Sequence, residues 1–135
     1  MTKLTEIEGI GAVCAGKLSG IDVNTVEELL SKGATKKGRG QLAEACELSE
    51  KRILRWVNMA DLMRIKGVGE EYSDLLEAAG VDTVKELRTR RPDNLTAKMK
   101  EVNAEKKLVR QTPTESAVAG WVEQAKALPD VVTHS

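Results

Sequence analysis

Two short glycine pairs carry the most specific chemistry in the chain. Gly9-Ile10-Gly11 follows Ile7-Glu8, Gly67-Val68-Gly69 follows Ile65-Lys66, and each pair runs into a helical pattern. Glycine suits both flanking positions because the turn needs unusual backbone angles and close approach to another surface, while the apolar residue between them plugs into a core. Such a turn leaves backbone N–H groups at a helix N-terminus, where no intrahelical acceptor exists and a phosphate can be held. The chemistry predicted is main-chain contact with an anion.

Basic side chains add to it. Lys36, Lys37 and Arg39, beside Gly38 and Gly40, form the densest run of bases without acids and are the best candidates for contact with a nucleic-acid backbone. Arg88, Arg90 and Arg91 come next, whereas Lys51, Arg52 and Arg55 share one helix face and read as a solvated surface. No residue invites catalysis. The single histidine, His134, lies in a terminal tail, leaving no candidate for a general base or a triad. Glu27-Glu28 and Glu70-Glu71 read as helix-start and solvent-face acids rather than a metal-binding carboxylate cluster. Cys14 and Cys46 lack metal-ligand spacing; a disulfide is possible in principle, and two buried reduced thiols are the favoured reading.

The elements that must position these residues are helices. Strand-like alternation is missing, phenylalanine is absent, and Ala, Leu, Glu and Lys dominate. Gly11 opens a helix through Leu18. Asn24-Thr25-Val26-Glu27 and Asp82-Thr83 offer N-caps for short helices ending near Ser31 and Arg88. Lys32 to Gly40, with its three glycines, reads as a loop into a helix carrying Leu42, Ala43 and Cys46. Ser49 caps the longest pattern, in which Ile53, Trp56, Val57, Ala60 and Met63 share one face to about Arg64. Pro92-Asp93-Asn94 reads as a break before a helix from about Leu95 to Val102, Asn103 to Gln111 is ambiguous, and Thr114 caps a last helix carrying Val118, Trp121, Val122 and Ala125. Trp56 and Trp121 read as core anchors.

These elements repeat. Leu4 to Leu29 aligns without a gap on Leu62 to Leu87, 58 positions on, with Leu18/Leu76, Val23/Val81, Thr25/Thr83 and Glu28/Glu86 in register. Ser49, Ile53, Trp56 and Ala60 recur as Thr114, Val118, Trp121 and Ala125, now 65 positions apart. The fold class expected is all-α, with two tandem repeats related by internal duplication: residues 1–61, residues 62–128, and a tail over 129–135.

Composition bounds the partners. Lys plus Arg equals Asp plus Glu at 21 each, so the whole-protein basic field of a tight nucleic-acid binder is missing. Charge is segregated all the same: Gly67 to Asp82 holds acids and no base, while bases outnumber acids from Lys85 to Arg110. No run approaches the roughly 18 apolar residues of a membrane span, and the N-terminus lacks a signal peptide's apolar core. The default expectation is a cytoplasmic protein with no membrane partner.

The paired turns, the Asn/Asp-Thr-Val-x-Glu-Leu stretches after them, and Ser49-Glu50-Lys51 through Trp56-Val57-Asn58-Met59-Ala60-Asp61-Leu62 resemble helix-hairpin-helix proteins. More closely, they resemble a bacterial domain-of-unknown-function family of tandem helix-hairpin-helix units, relatives of which are likened to the helix-three-turn-helix element of flap endonucleases. The resemblance implies contact with the DNA backbone without sequence reading, through Gly9, Gly11, Ala12 and Val13 in the first hairpin. Its counterpart positions in the second are Gly67, Gly69, Glu70 and Glu71. DNA-binding hairpins often carry a base just after the second glycine; Glu70 and Glu71 instead suit the helix dipole and repel phosphate, so the second hairpin reads as structural or protein-facing. A chain of this length has no room for the separate catalytic domain of a flap endonuclease. The function expected is therefore a non-enzymatic module, without cofactor or metal, that binds DNA or RNA backbone weakly and without sequence preference, or serves as an adaptor. The alternative is a protein-interaction or scaffolding module that does not bind nucleic acid.

Overall fold

The computed structural model describes residues 3–7 and 9–133; Glu8 and His134 fall outside them. Among the described residues the regular structure is helical: a 3₁₀ turn, Leu4–Glu6, and eight α-helices. An isolated bridge joins Lys3 to Thr25. The all-α expectation is met. The chain divides into two units with the boundary between Asp61 and Leu62, and the segment from Val131 groups with the first.

The first unit holds α1 (Ala12–Ser19), α2 (Val26–Lys32), α3 (Lys36–Cys46) and most of α4 (Glu50–Leu62). Thr25 is the N-cap of α2: its hydroxyl accepts the Glu28 amide at 3.1 Å while the Glu28 carboxylate accepts the Asn24 amide at 3.0 Å. This reciprocal box satisfies two amides that the helix cannot. At α4 the Ser49 hydroxyl accepts the Arg52 amide at 3.2 Å. The apolar face of α4 buries Ile53, Trp56, Val57 and Ala60 with Leu18, Leu29 and Leu42 of the other helices, and Ile7 and Ile10 plug in beneath the first glycine turn.

One expected loop is a helix. Between α2 and α3 lie only Gly33 to Thr35, and Lys36, Lys37, Gly38, Arg39 and Gly40 are helical. Thr35 caps α3, accepting from the Gly38 amide at 3.1 Å. A Cβ on Gly38 would sit 1.8 Å from the Lys32 carbonyl oxygen, so this glycine permits close approach of α3 to the end of α2 rather than a turn. The segment read as a tail has partners as well: the Thr133 amide donates to Ala34 O at 2.8 Å.

The second unit holds α5 (Glu70–Ala78), α6 (Val84–Leu87), α7 (Pro92–Lys106) and α8 (Glu115–Ala127). Thr83 caps α6 and Thr114 caps α8, accepting amides at 3.3 and 3.1 Å. Pro92 begins α7 instead of breaking the chain before it, because the first helical position needs neither an N–H partner nor a free φ. The helix runs on through the ambiguous stretch to Lys106 and ends where Lys107 turns left-handed at φ +52°. Asn103 then fixes the loop, donating to Val109 O at 3.0 Å and accepting from Val109 N at 2.9 Å. The core gathers Leu75, Leu76, Val84, Leu87, Met99, Val118 and Trp121 around Ile65 and Val68.

Candidate nucleic-acid interface

In the first glycine turn, Ile10 N donates to Ile7 O at 3.1 Å and Gly9 sits at φ +95°, a conformation that residues with a Cβ avoid. A side chain at Gly9 would also meet Trp56 Nε1 at 3.2 Å. The turn is thus specified twice, by backbone angle and by the indole packed against it. Gly11 is the N-cap of α1 and offers no side-chain cap. The first i→i−4 bond of α1 runs from Ala15 N to Gly11 O at 3.0 Å, so the amides of Ala12, Val13 and Cys14 lie ahead of the helical ladder, where the dipole favours an anion.

These amides border a cavity of about 380 Å³. Gly9, Gly11, Ala12 and Val13, the predicted contact residues of this turn, all line it, as do Cys14, Cys46, Leu48 and Trp56. Among the described residues its charged side chains are Lys17 and Arg52. Lys17 pairs with Glu47 at 3.3 Å, the carboxylate side chain largely exposed and the lysine partly so, a link worth little in water. Val13 stands 76% exposed at its edge.

The other predicted residues are elsewhere. Lys36 and Lys37 are exposed on the first turn of α3, and Lys37 borders a different cavity, with Asp22, Glu28 and Lys32. Arg39 is corrected: it is 4% exposed, and its guanidinium donates to the carbonyls of Gly33 (2.9 Å), Ala34 (3.1 Å) and Thr133 (2.6 Å). Burial pushes its pKa down, with the charge of Glu50 acting the other way. A cation committed to three carbonyls at the α2–α3 junction does not serve a phosphate. Arg88 pairs with Asp130, Arg90 with Glu86 at 3.1 Å and Arg91 with Asp93 at 3.1 Å.

In the second turn Val68 N donates to Ile65 O at 3.1 Å, Gly67 sits at φ +95°, and a Cβ there would meet Trp121 Nε1 at 3.0 Å. The Lys66 amide and carbonyl are bound by Gln124, at 2.8 and 3.2 Å. Glu70 and Glu71 occupy the first turn of α5. A cavity of about 330 Å³ touches Gly67 but not Gly69, Glu70 or Glu71. Tyr72 stands over Trp121, ring centroids 5.2 Å apart.

Sequence reasoning missed Lys17 and Arg52 as cavity cations; Cys14 and Cys46, for which it favoured two buried thiols over a disulfide, bring their sulfurs to 3.0 Å, with Cys46 buried and Cys14 half-buried. Burial, and after it the contact with Cys14, pushes the Cys46 thiol up to about 12, against the opposing pull of Lys17. Among the described residues no three His, Cys, Asp or Glu side chains are grouped to hold a metal ion, and no helix is long and apolar enough to cross a membrane.

No curated protein and no solved structure matches the chain. A family model does, over residues 8–128. With most of its length covered by that match, the chain belongs to the family described as Domain of unknown function (DUF4332).

Proposed function

We propose that the two units are duplicated helix-hairpin-helix modules, and that the first binds nucleic-acid backbone while the second serves the fold. The observation that carries this reading is the setting of the first turn. Uncapped amides at the start of α1 border a cavity whose charged side chains are Lys17 and Arg52. A phosphate placed there meets main-chain N–H groups, the positive end of a helix and two cations. Recognition of this kind positions a protein and reads no bases. The protein is proposed to act without catalysis, in the cytoplasm.

Fluorescence anisotropy with a labelled duplex and a labelled single strand tests the reading. With few contacts and no net charge, dissociation constants of about 10⁻⁴ to 10⁻⁶ M are expected, weakening steeply with salt as counterions are released. Lys17→Glu with Arg52→Glu should abolish binding, and Glu70→Lys with Glu71→Lys should strengthen it. An unchanged affinity in the first pair would remove the groove from the interface.

A second reading rests on Val13, a large apolar side chain 76% exposed at the edge of the same cavity. It suits an adaptor that meets a protein through this face. Val13→Lys separates the two: it should strengthen nucleic-acid binding and disrupt an apolar protein contact.

A further inference from the structure

Two thiols tie α1 to the end of α3. Cys14 Sγ donates to Cys46 Sγ across 3.0 Å, 32 residues apart in the chain, and both cysteines are free. Cys14 is half-buried and Cys46 buried, and both line the cavity beside the first turn. In the sequence register Cys14 stands 58 positions before Tyr72, and Cys46 stands 65 before Gln111. Those later residues also meet: Tyr72 Oη donates to Gln111 O at 3.2 Å. Where the second unit uses a hydrogen bond, the first has placed a pair of sulfurs.

We propose that Cys14 and Cys46 are a redox-modifiable dithiol, oxidised at the first-turn cavity by anionic low-molecular-weight disulfides to an intramolecular disulfide between α1 and α3. A metal suits the pair less well. Zinc holds thiolates at about 2.3 Å in a tetrahedron, which would push these sulfurs apart, and no third ligand is grouped with them among the described residues. A disulfide needs them about 1 Å closer.

The cavity supplies the approach. Its cations, Lys17 and Arg52, favour a carboxylate-bearing disulfide. Cys14 loses its proton to solvent and attacks one sulfur of the small disulfide; that S–S bond breaks, one small thiolate leaves, and a mixed disulfide forms on Cys14. Cys46, deprotonated in turn, attacks Cys14 Sγ and expels the second small thiolate. Two protein thiols are oxidised and one small disulfide is reduced to two thiols. Attack begins at Cys14, which is the more open to the reagent, whereas Cys46 is buried and burial pushes its thiol up.

The inference stands whether or not the turn meets nucleic acid. The test incubates the reduced full-length protein with oxidised glutathione under native conditions, then reads intact mass and a non-reducing peptide map. The expected result is loss of two thiol hydrogens per chain, a peptide linking Cys14 to Cys46, and reversal by dithiothreitol, with glutathione on Cys14 as the intermediate. Cys46→Ala should stop at that adduct. Lys17→Gln with Arg52→Gln should slow its formation several-fold. Unreacted thiols in the folded wild type, first attack at Cys46, or oxidation only to intermolecular dimers would overturn the proposal.

Discussion

In the first unit Gly9 turns at φ +95° against Trp56 and the next helix begins with Ala12-Val13; in the second, Gly67 turns at φ +95° against Trp121 and the next helix begins with Glu70-Glu71. The glycine angle and the indole contact agree, and the surroundings do not. Beside the first turn a cavity reaches Gly11, Ala12 and Val13 and holds two cations. Beside the second, the cavity stops at Gly67 and is lined by Tyr72 and the Gln111–Thr114 segment. A glycine turn is therefore a packing device first. Whether its amides can also meet a ligand is decided by the few side chains that start the following helix and by what stands over the tryptophan.

The largest expected effect tests what the turns share. Trp56→Ala and Trp121→Ala should each cost about 3–5 kcal/mol, since both indoles are buried against a turn and leave a large void. Denaturant titration of the two variants checks this. A cost below about 1 kcal/mol for either would mean that its indole does not hold its turn, and the parallel between the units would fail.

A smaller effect sharpens a local difference. Val23 N donates to Leu18 O at 3.0 Å after α1, and Val81 N to Leu76 O at 2.8 Å after α5. The residue ahead of each donor is left-handed: Asp22 at φ +64°, Gly80 at φ +96°. Asp22→Gly should raise stability by up to about 1 kcal/mol and Gly80→Asp should lower it by a similar amount. The check is a shift in denaturant midpoint at constant slope. Destabilisation by Asp22→Gly would assign the carboxylate a role that the backbone angle does not require.

Much of the fold was legible because its signals are local. Thr25, Ser49, Thr83 and Thr114 announce helix starts through a hydroxyl a few residues ahead of the amide it accepts, and the apolar spacing from Ile53 to Ala60 fixes the buried face of α4. The errors arise where one residue type serves two physical ends. Gly38 looked like a loop residue and is a helical close-approach position; Pro92 looked like a breaker and is a helix start. The site was half legible. Gly9, Gly11, Ala12 and Val13 come together because they are contiguous. Arg39 was misread because one of its carbonyl acceptors, Thr133, lies 94 residues away, and the Cys14–Cys46 pairing is likewise a tertiary fact. No local pattern reports either.

The central claim is that amides of the first turn meet phosphate and those of the second do not. The most direct measurement is a titration of the ¹⁵N-labelled protein with a short duplex at low salt, following backbone amides by heteronuclear correlation spectra. The prediction is that Gly11, Ala12 and Val13 shift progressively while Gly69, Glu70 and Glu71 stay in place, and that raising the salt reverses the shifts. Shifts centred on the second turn, or none in the first turn at a duplex concentration well above about 10⁻⁴ M, would contradict the claim.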